Sequence, residues 1–128
     1  MSIESQLRAI AAQSVVKAEK VIRLTVNDIG NNMIIGSPVD SGLFRNNWLS
    51  GYSYDTSTRS GTGDESQGNL TEAISAYSIG KTFYFTNSLP YAQKLEDGHS
   101  TGQAPLGVVK KNVAQFDTIA QGYINMVK

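Results

Sequence analysis

The single histidine of the 128-residue chain, His99, stands in YAQKLEDGHSTGQAP, residues 91 to 105, just behind the acidic pair Glu96 and Asp97. A side chain that titrates near neutrality beside carboxylates in a glycine-rich turn is the residue type for proton transfer or metal binding. Counting partners weakens both readings. Zinc takes three or four ligands from Cys, His and carboxylates, and the chain has no cysteine and no second histidine. The run DGHSTGQAP lacks the alternating acids of an EF-hand loop. Nucleophilic catalysis would need Ser100 or Ser41 as nucleophile, His99 as base and Asp40 or Asp97 as orienter, but no G-x-S-x-G elbow occurs. A carboxylate pair such as Glu96 and Asp40 is far apart in the chain and fixes no distance. GTGDESQG, residues 61 to 68, has neither the Lys-Ser/Thr of a P-loop nor GxGxxG. His99 therefore reads as a turn histidine held by a neighbouring carbonyl or carboxylate, and we expect no catalytic residue, metal or cofactor.

The length suits one domain with a hydrophobic core. Eleven Lys and Arg balance eleven Asp and Glu without a block of like charge, so the basic footprint of a nucleic-acid binder is missing. No window approaches the ~20 apolar residues of a membrane span, and we expect a soluble, intracellularly made protein without membrane contact.

Any site must be positioned by a few elements. Leu7, Ala11, Val15, Ala18, Ile22, Val26 and Ile29 recur at helical spacing, predicting a first helix over about 3 to 30, weakened at Gly30. SPVDSGLFRNNW combines a proline with the N-cap residues Asp40 and Ser41, predicting a turn into a short helical segment. Trp48, Tyr52 and Tyr54 at even spacing suggest a strand, with Gly51 marking a bulge. Residues 55 to 69 hold no aliphatic or aromatic side chain and are expected to stay out of the core as a flexible polar loop or the tip of a long hairpin arm. Leu70, Ala73, Ile74 and Tyr77 make a short helical face before Gly80, and KTFYFTNSL predicts a second strand at about 81 to 87. Pro90 suits the first position of a helix over 90 to 97, stopped at Gly98. Leu106, Val109, Val113, Phe116, Ala120, Tyr123 and Val127 predict one amphipathic C-terminal helix. The fold class is α+β: a long N-terminal helix, a small antiparallel sheet with a long loop or hairpin arm, short helices, and the C-terminal helix packed on the sheet. Trp48 reads as a core residue.

The order of these signals resembles the neck or tail-completion (head-tail joining) proteins of long-tailed bacteriophages. In that family a Pro-Val-Asp-(Ser/Thr)-Gly-x-(Leu/Phe)-Arg motif precedes a tryptophan, matched here at Pro38, Val39, Asp40, Gly42, Arg45 and Trp48. An Asn-x-x-x-Tyr-Ala-x-x-Leu-Glu-x-Gly-His-Ser motif precedes Gln-Ala-Pro, matched at Asn87, Tyr91, Ala92, Leu95, Glu96, Gly98, His99, Ser100, Gln103, Ala104 and Pro105. Phe44 stands where leucine is more usual, and only the loop at 55 to 69 lies outside the likeness.

The resemblance implies one neck domain over 1 to 128 and a structural, non-enzymatic role in the virion, with the protein made in the host cytoplasm. It implies a homo-oligomeric, commonly six-fold ring that meets the head-tail connector and the tail terminator or tail tube proteins, with incidental DNA contact in its lumen. Within it, Asp40 would cap the short helix, Arg45 would pair with Glu96, Gly98 would take the left-handed conformation, and Gln103 and Pro105 would aim the last helix across the sheet. The alternatives from other classes are a small hydrolase using His99 with a nearby carboxylate, and a non-viral, toxin-like or regulatory protein-binding module.

Overall fold

A computed structural model describes residues 2–38, 42–97 and 107–127 of the chain. The fold is α+β. Helix α1 spans Ile3–Ile35, a 3-10 turn Arg45–Asn47, strand β1 Leu49–Gly51, helix α2 Glu65–Ser75, strand β2 Tyr84–Thr86, and helices α3, α4 and α5 Ala92–Glu96, Val109–Val113 and Phe116–Val127. The strands pair antiparallel with Leu49, Ser50 and Gly51 opposite Thr86, Phe85 and Tyr84. Helix α2 packs on both α1 and β1, and α5 packs along α1.

Helix α1 starts where Ser2 Oγ accepts the Ser5 N–H at 3.1 Å, and Glu4 sits at the positive end of its dipole. It runs through Gly30, five residues beyond the expected end. A glycine inside a helix costs about 1 kcal/mol, but Gly30 is where Leu70 of α2 crosses: a Cβ there would lie 2.7 Å from Leu70 Cδ2. Met33 and Ile34 beyond it are buried, and their burial offsets the glycine.

The core gathers Ile29, Met33 and Ile34 of α1, Phe44, Trp48, Leu70 and Ile74, and then Leu89 and Val108. Trp48 is the core residue expected of it, 3% exposed. Its indole stacks on Phe85 at 4.8 Å between centroids and meets Phe44 edge-on at 5.7 Å.

Several expectations are corrected. Gly51 ends β1 rather than bulging it, and both strands are shorter than the sequence suggested. The polar stretch 55–69 is not all loop, because α2 begins at Glu65 and Ser66 is buried. Helix α3 starts at Ala92, two residues after Pro90. The C-terminal stripe is two helices: buried Asn112 donates back to the Val108 carbonyl at 2.7 Å, Gln115 N–H tightens onto Asn112 O at 3.1 Å, and the axis breaks. After the break, α5 lies along α1 rather than on the sheet, tied by the Tyr123 hydroxyl donating to Asp28. Val113 and Phe116, expected on the packed face, are exposed.

Candidate functional site

The described motif residues converge on two junctions. The first is the end of α1. This helix has no basic residue in its last turn, so its carbonyls need donors from elsewhere. Arg45 supplies them from the 3-10 turn, with Nη2 2.7 Å from Ile35 O and 3.2 Å from Ser37 O. The expected Arg45–Glu96 pair is therefore not formed. A guanidinium facing the last carbonyl of the helix and a second one just past its cap gains charge-assisted hydrogen bonds and a favourable dipole interaction together. Ser37 Oγ donates to Met33 O at 2.6 Å and accepts from Trp48 Nε1 at 2.8 Å, so Trp48 closes the same end. Pro38 is buried beside it. Gly42 has φ +87°, and a Cβ there would stand 3.0 Å from Thr62 O, so the turn needs glycine. The short helical turn begins at Arg45 with Phe44 in the cap position and no side-chain cap. Asp40, proposed for that cap, lies outside the described residues.

The two motifs meet on Phe44. Asn87 Nδ2 donates to Phe44 O at 2.9 Å, and the Tyr91 ring lies 6.1 Å from the Phe44 ring. Tyr91 is itself exposed.

The second junction is Glu96. Its Oε1 accepts from Val108 N–H at 2.8 Å and Val109 N–H at 2.6 Å, and its Oε2 accepts from Lys110 N–H at 2.8 Å. The carboxylate thus caps the first turn of α4 from across residues 97 to 107. Gly107 makes the approach fit: φ is +79°, and a Cβ would lie 2.3 Å from Glu96 O. Burial alone would raise the Glu96 pKa, but the three backbone donors and the nearby Lys110 charge outweigh it and hold the carboxyl below the ordinary glutamate range. A depressed folded-state pKa means stabilisation that is complete above the ordinary glutamate value and lost as pH falls through the folded value. Acid titration of wild type is expected to loosen the α3–α4 junction in that window. Glu96→Gln should cost about 1–2 kcal/mol at neutral pH, as a lost cap does, and should flatten the acid limb of denaturant midpoint against pH. An unchanged acid limb would refute the cap.

His99, Gly98, Gln103 and Pro105 lie outside the described residues, as do Ser41 and Ser100. Of the acids considered for chemistry with His99, Glu96 is occupied by the cap. Among the described residues no three or more His, Cys, Asp or Glu side chains gather to hold a metal ion, and no helix is long and apolar enough to cross a membrane. No family model, curated protein or solved structure matches the chain.

A third tie escaped the sequence reading. Asn46 and Asn47 are fully buried with both amides satisfied. Asn46 Oδ1 caps α2 by accepting Glu65 N–H at 2.8 Å, and Asn46 Nδ2 donates to Gly61 O at 3.0 Å. Asn47 exchanges bonds with the backbone of Arg59, at 2.7 Å from its N–H and 3.0 Å to its carbonyl. The Arg59 guanidinium donates to the carbonyls of Asn46 and Trp48 at 2.6 and 3.1 Å and lies 3.4 Å from Glu65. The available signal was local: two adjacent asparagines before the only tryptophan, and one lone arginine in an otherwise small, polar or acidic stretch. What the described motif residues do together is fix the relative placement of α1, β2, α3 and α4.

Proposed function

We propose that the chain is a structural subunit of the bacteriophage neck, a non-enzymatic component of the virion that completes or joins the tail to the head as one member of a homo-oligomeric ring. The observation that carries this reading is the free half of α1. Residues 2–18 are all exposed, and on one side of the helix Ile3, Leu7 and Ile10 are between 60% and 75% exposed and Val15 is 44% exposed. At ~1.5 Å per residue that is about 25 Å of exposed helix, which meets α5 only at its far end, where Ser14, Lys17 and Ala18 line a groove with Ile124 and Val127. The apolar stripe runs on into it unchanged, and an isolated helix of this length is marginal in water. A large uncovered apolar face marks an interaction surface, and a ring needs such surfaces between neighbours. The motif likeness supports the identity of the assembly, and the use of Arg45, Asn87 and Glu96 as ties supports an architectural role. Connector, tail terminator or tail tube proteins are the proposed neighbours, with passing DNA met in the lumen.

The test is the double variant Leu7→Asp/Ile10→Asp. Both side chains are already exposed in the subunit, so its unfolding free energy should change by no more than about 1 kcal/mol, about 0.5 for each substitution, while the rings expected of the wild type by negative-stain microscopy should be lost. Rings that persist in the variant would remove this surface from the assembly.

A further inference from the structure

The two outer edges of the β-ribbon differ. On β1 the residues whose backbone points away from β2 are Trp48 and Ser50, and each such group is engaged. Trp48 N–H donates to Ser66 Oγ at 3.1 Å, and its carbonyl accepts from Arg59. Ser50 N–H donates to Asn69 Oδ1 at 2.8 Å, and Ser50 O accepts from Asn69 Nδ2 at 3.1 Å. The Asn69 amide stands where a neighbouring strand would be, so this edge is closed.

In an antiparallel ladder, residues opposite one another share the inward or outward direction of their backbone groups. Ser50 lies opposite Phe85, so the N–H and C=O of Phe85 point to the far side of β2. Strand β2 ends at Thr86, and Asn87 follows it with its side chain tied to the Phe44 carbonyl. Neither Phe85 nor Asn87 has a backbone hydrogen-bond partner among the described residues. A groove of about 370 Å³ is lined by Phe85 and Asn87 together with Phe44, Trp48, Gln93 and Lys110.

The geometry points to a strand-accepting groove in which β2 takes an extended segment of a partner protein as the third strand of the sheet. This goes beyond the neck reading and does not rest on it. The open donors and acceptors specify extended backbone, as in other strand-addition sites, and a two-stranded ribbon gains stability from a third strand. Alternate side chains of the added strand fall on the aromatic lining, which calls for a large apolar residue. The Glu96 carboxylate is hydrogen-bonded to three backbone donors, and the exposed Lys110 ammonium, though its charge is felt by Glu96, forms no direct ion pair among the described residues. An acidic residue beside the apolar one complements it.

The probe is a capped synthetic peptide of about seven residues, the length of a short strand, built of Thr and Val around one Phe-Asp pair. It is titrated into the isotope-labelled full chain. Amide resonances of Phe85 and Asn87 should shift, and their hydrogen exchange should slow by about tenfold or more. The same peptide N-methylated along both edges should not bind. Gln93→Trp, which fills the groove from an exposed position, should keep the melting midpoint and lose the peptide. Unshifted Phe85 and Asn87 amides, or equal binding of the N-methylated peptide, would overturn the inference. So would protection of these amides that grows with protein concentration alone, because it would assign the edge to a second copy of the chain.

Discussion

Trp48→Ala is expected to destabilise the protein by about 3–5 kcal/mol, the range for truncating a buried aromatic side chain. The tryptophan is 3% exposed and packs between Phe85 and Phe44, so truncation leaves a cavity in the middle of the core. It also removes the Nε1–H bond to Ser37 and exposes the closure of α1. The backbone bonds of residue 48 to Ser66 and Arg59 do not depend on the side chain, so the loss belongs to packing and to the indole N–H. Trp48→Phe separates the two: it keeps most of the ring volume, and its cost should be the smaller, near the ~1–3 kcal/mol of a buried acceptor losing its donor plus the lost volume. Denaturant midpoints measure both. A loss below about 1.5 kcal/mol for Trp48→Ala, the size of a tolerated hydrophobic swap, would contradict the central place given to this residue.

Gly107→Ala should have the next largest effect. The residue sits at φ +79°, and the new Cβ would come 2.3 Å from the Glu96 carbonyl oxygen. The backbone conformation alone costs an L-residue about 1–2 kcal/mol, and a clash with a backbone atom cannot be relieved by a rotamer change. The junction must open, so the variant should lose the Glu96 cap as well. Its acid limb should therefore match that of Glu96→Gln, and the double variant should cost less than the sum of the two, because both act on one set of hydrogen bonds. Gly122→Ala is the contrasting case. Its Cβ would meet nothing within 4 Å in α5, and alanine there should stabilise by about 0.5–1 kcal/mol. Parity of the two glycine variants would sink the argument from close approach.

These residues also mark what could be read from the sequence. Apolar periodicity carried α1, the buried face of α2 and the class of the fold, since a helical stripe repeats whatever its partner. It did not say which partner: the stripe from Leu7 to Ile29 is uniform, yet among the described residues only its second half is covered. Polar ties leave no periodic trace. Arg45 and Glu96 carry opposite charges and stand in matched motifs, which suggested a pair, but each finds backbone groups at a helix end, and several short charge-assisted bonds outweigh one ion pair. Asn46, Asn47 and Arg59 looked like loop composition because their partners are backbone atoms brought near only by the finished fold. The break after Val113 was hidden for a related reason: Asn112 competes for a backbone carbonyl, while the apolar spacing continues across it.

The central claim, that this chain is a ring-forming architectural subunit, meets its most direct test in native mass spectrometry of the full chain over a rising concentration series. The account predicts a single closed oligomer of defined stoichiometry that is lost in the Leu7→Asp/Ile10→Asp variant. A wild-type chain that stays monomeric throughout the series would contradict it.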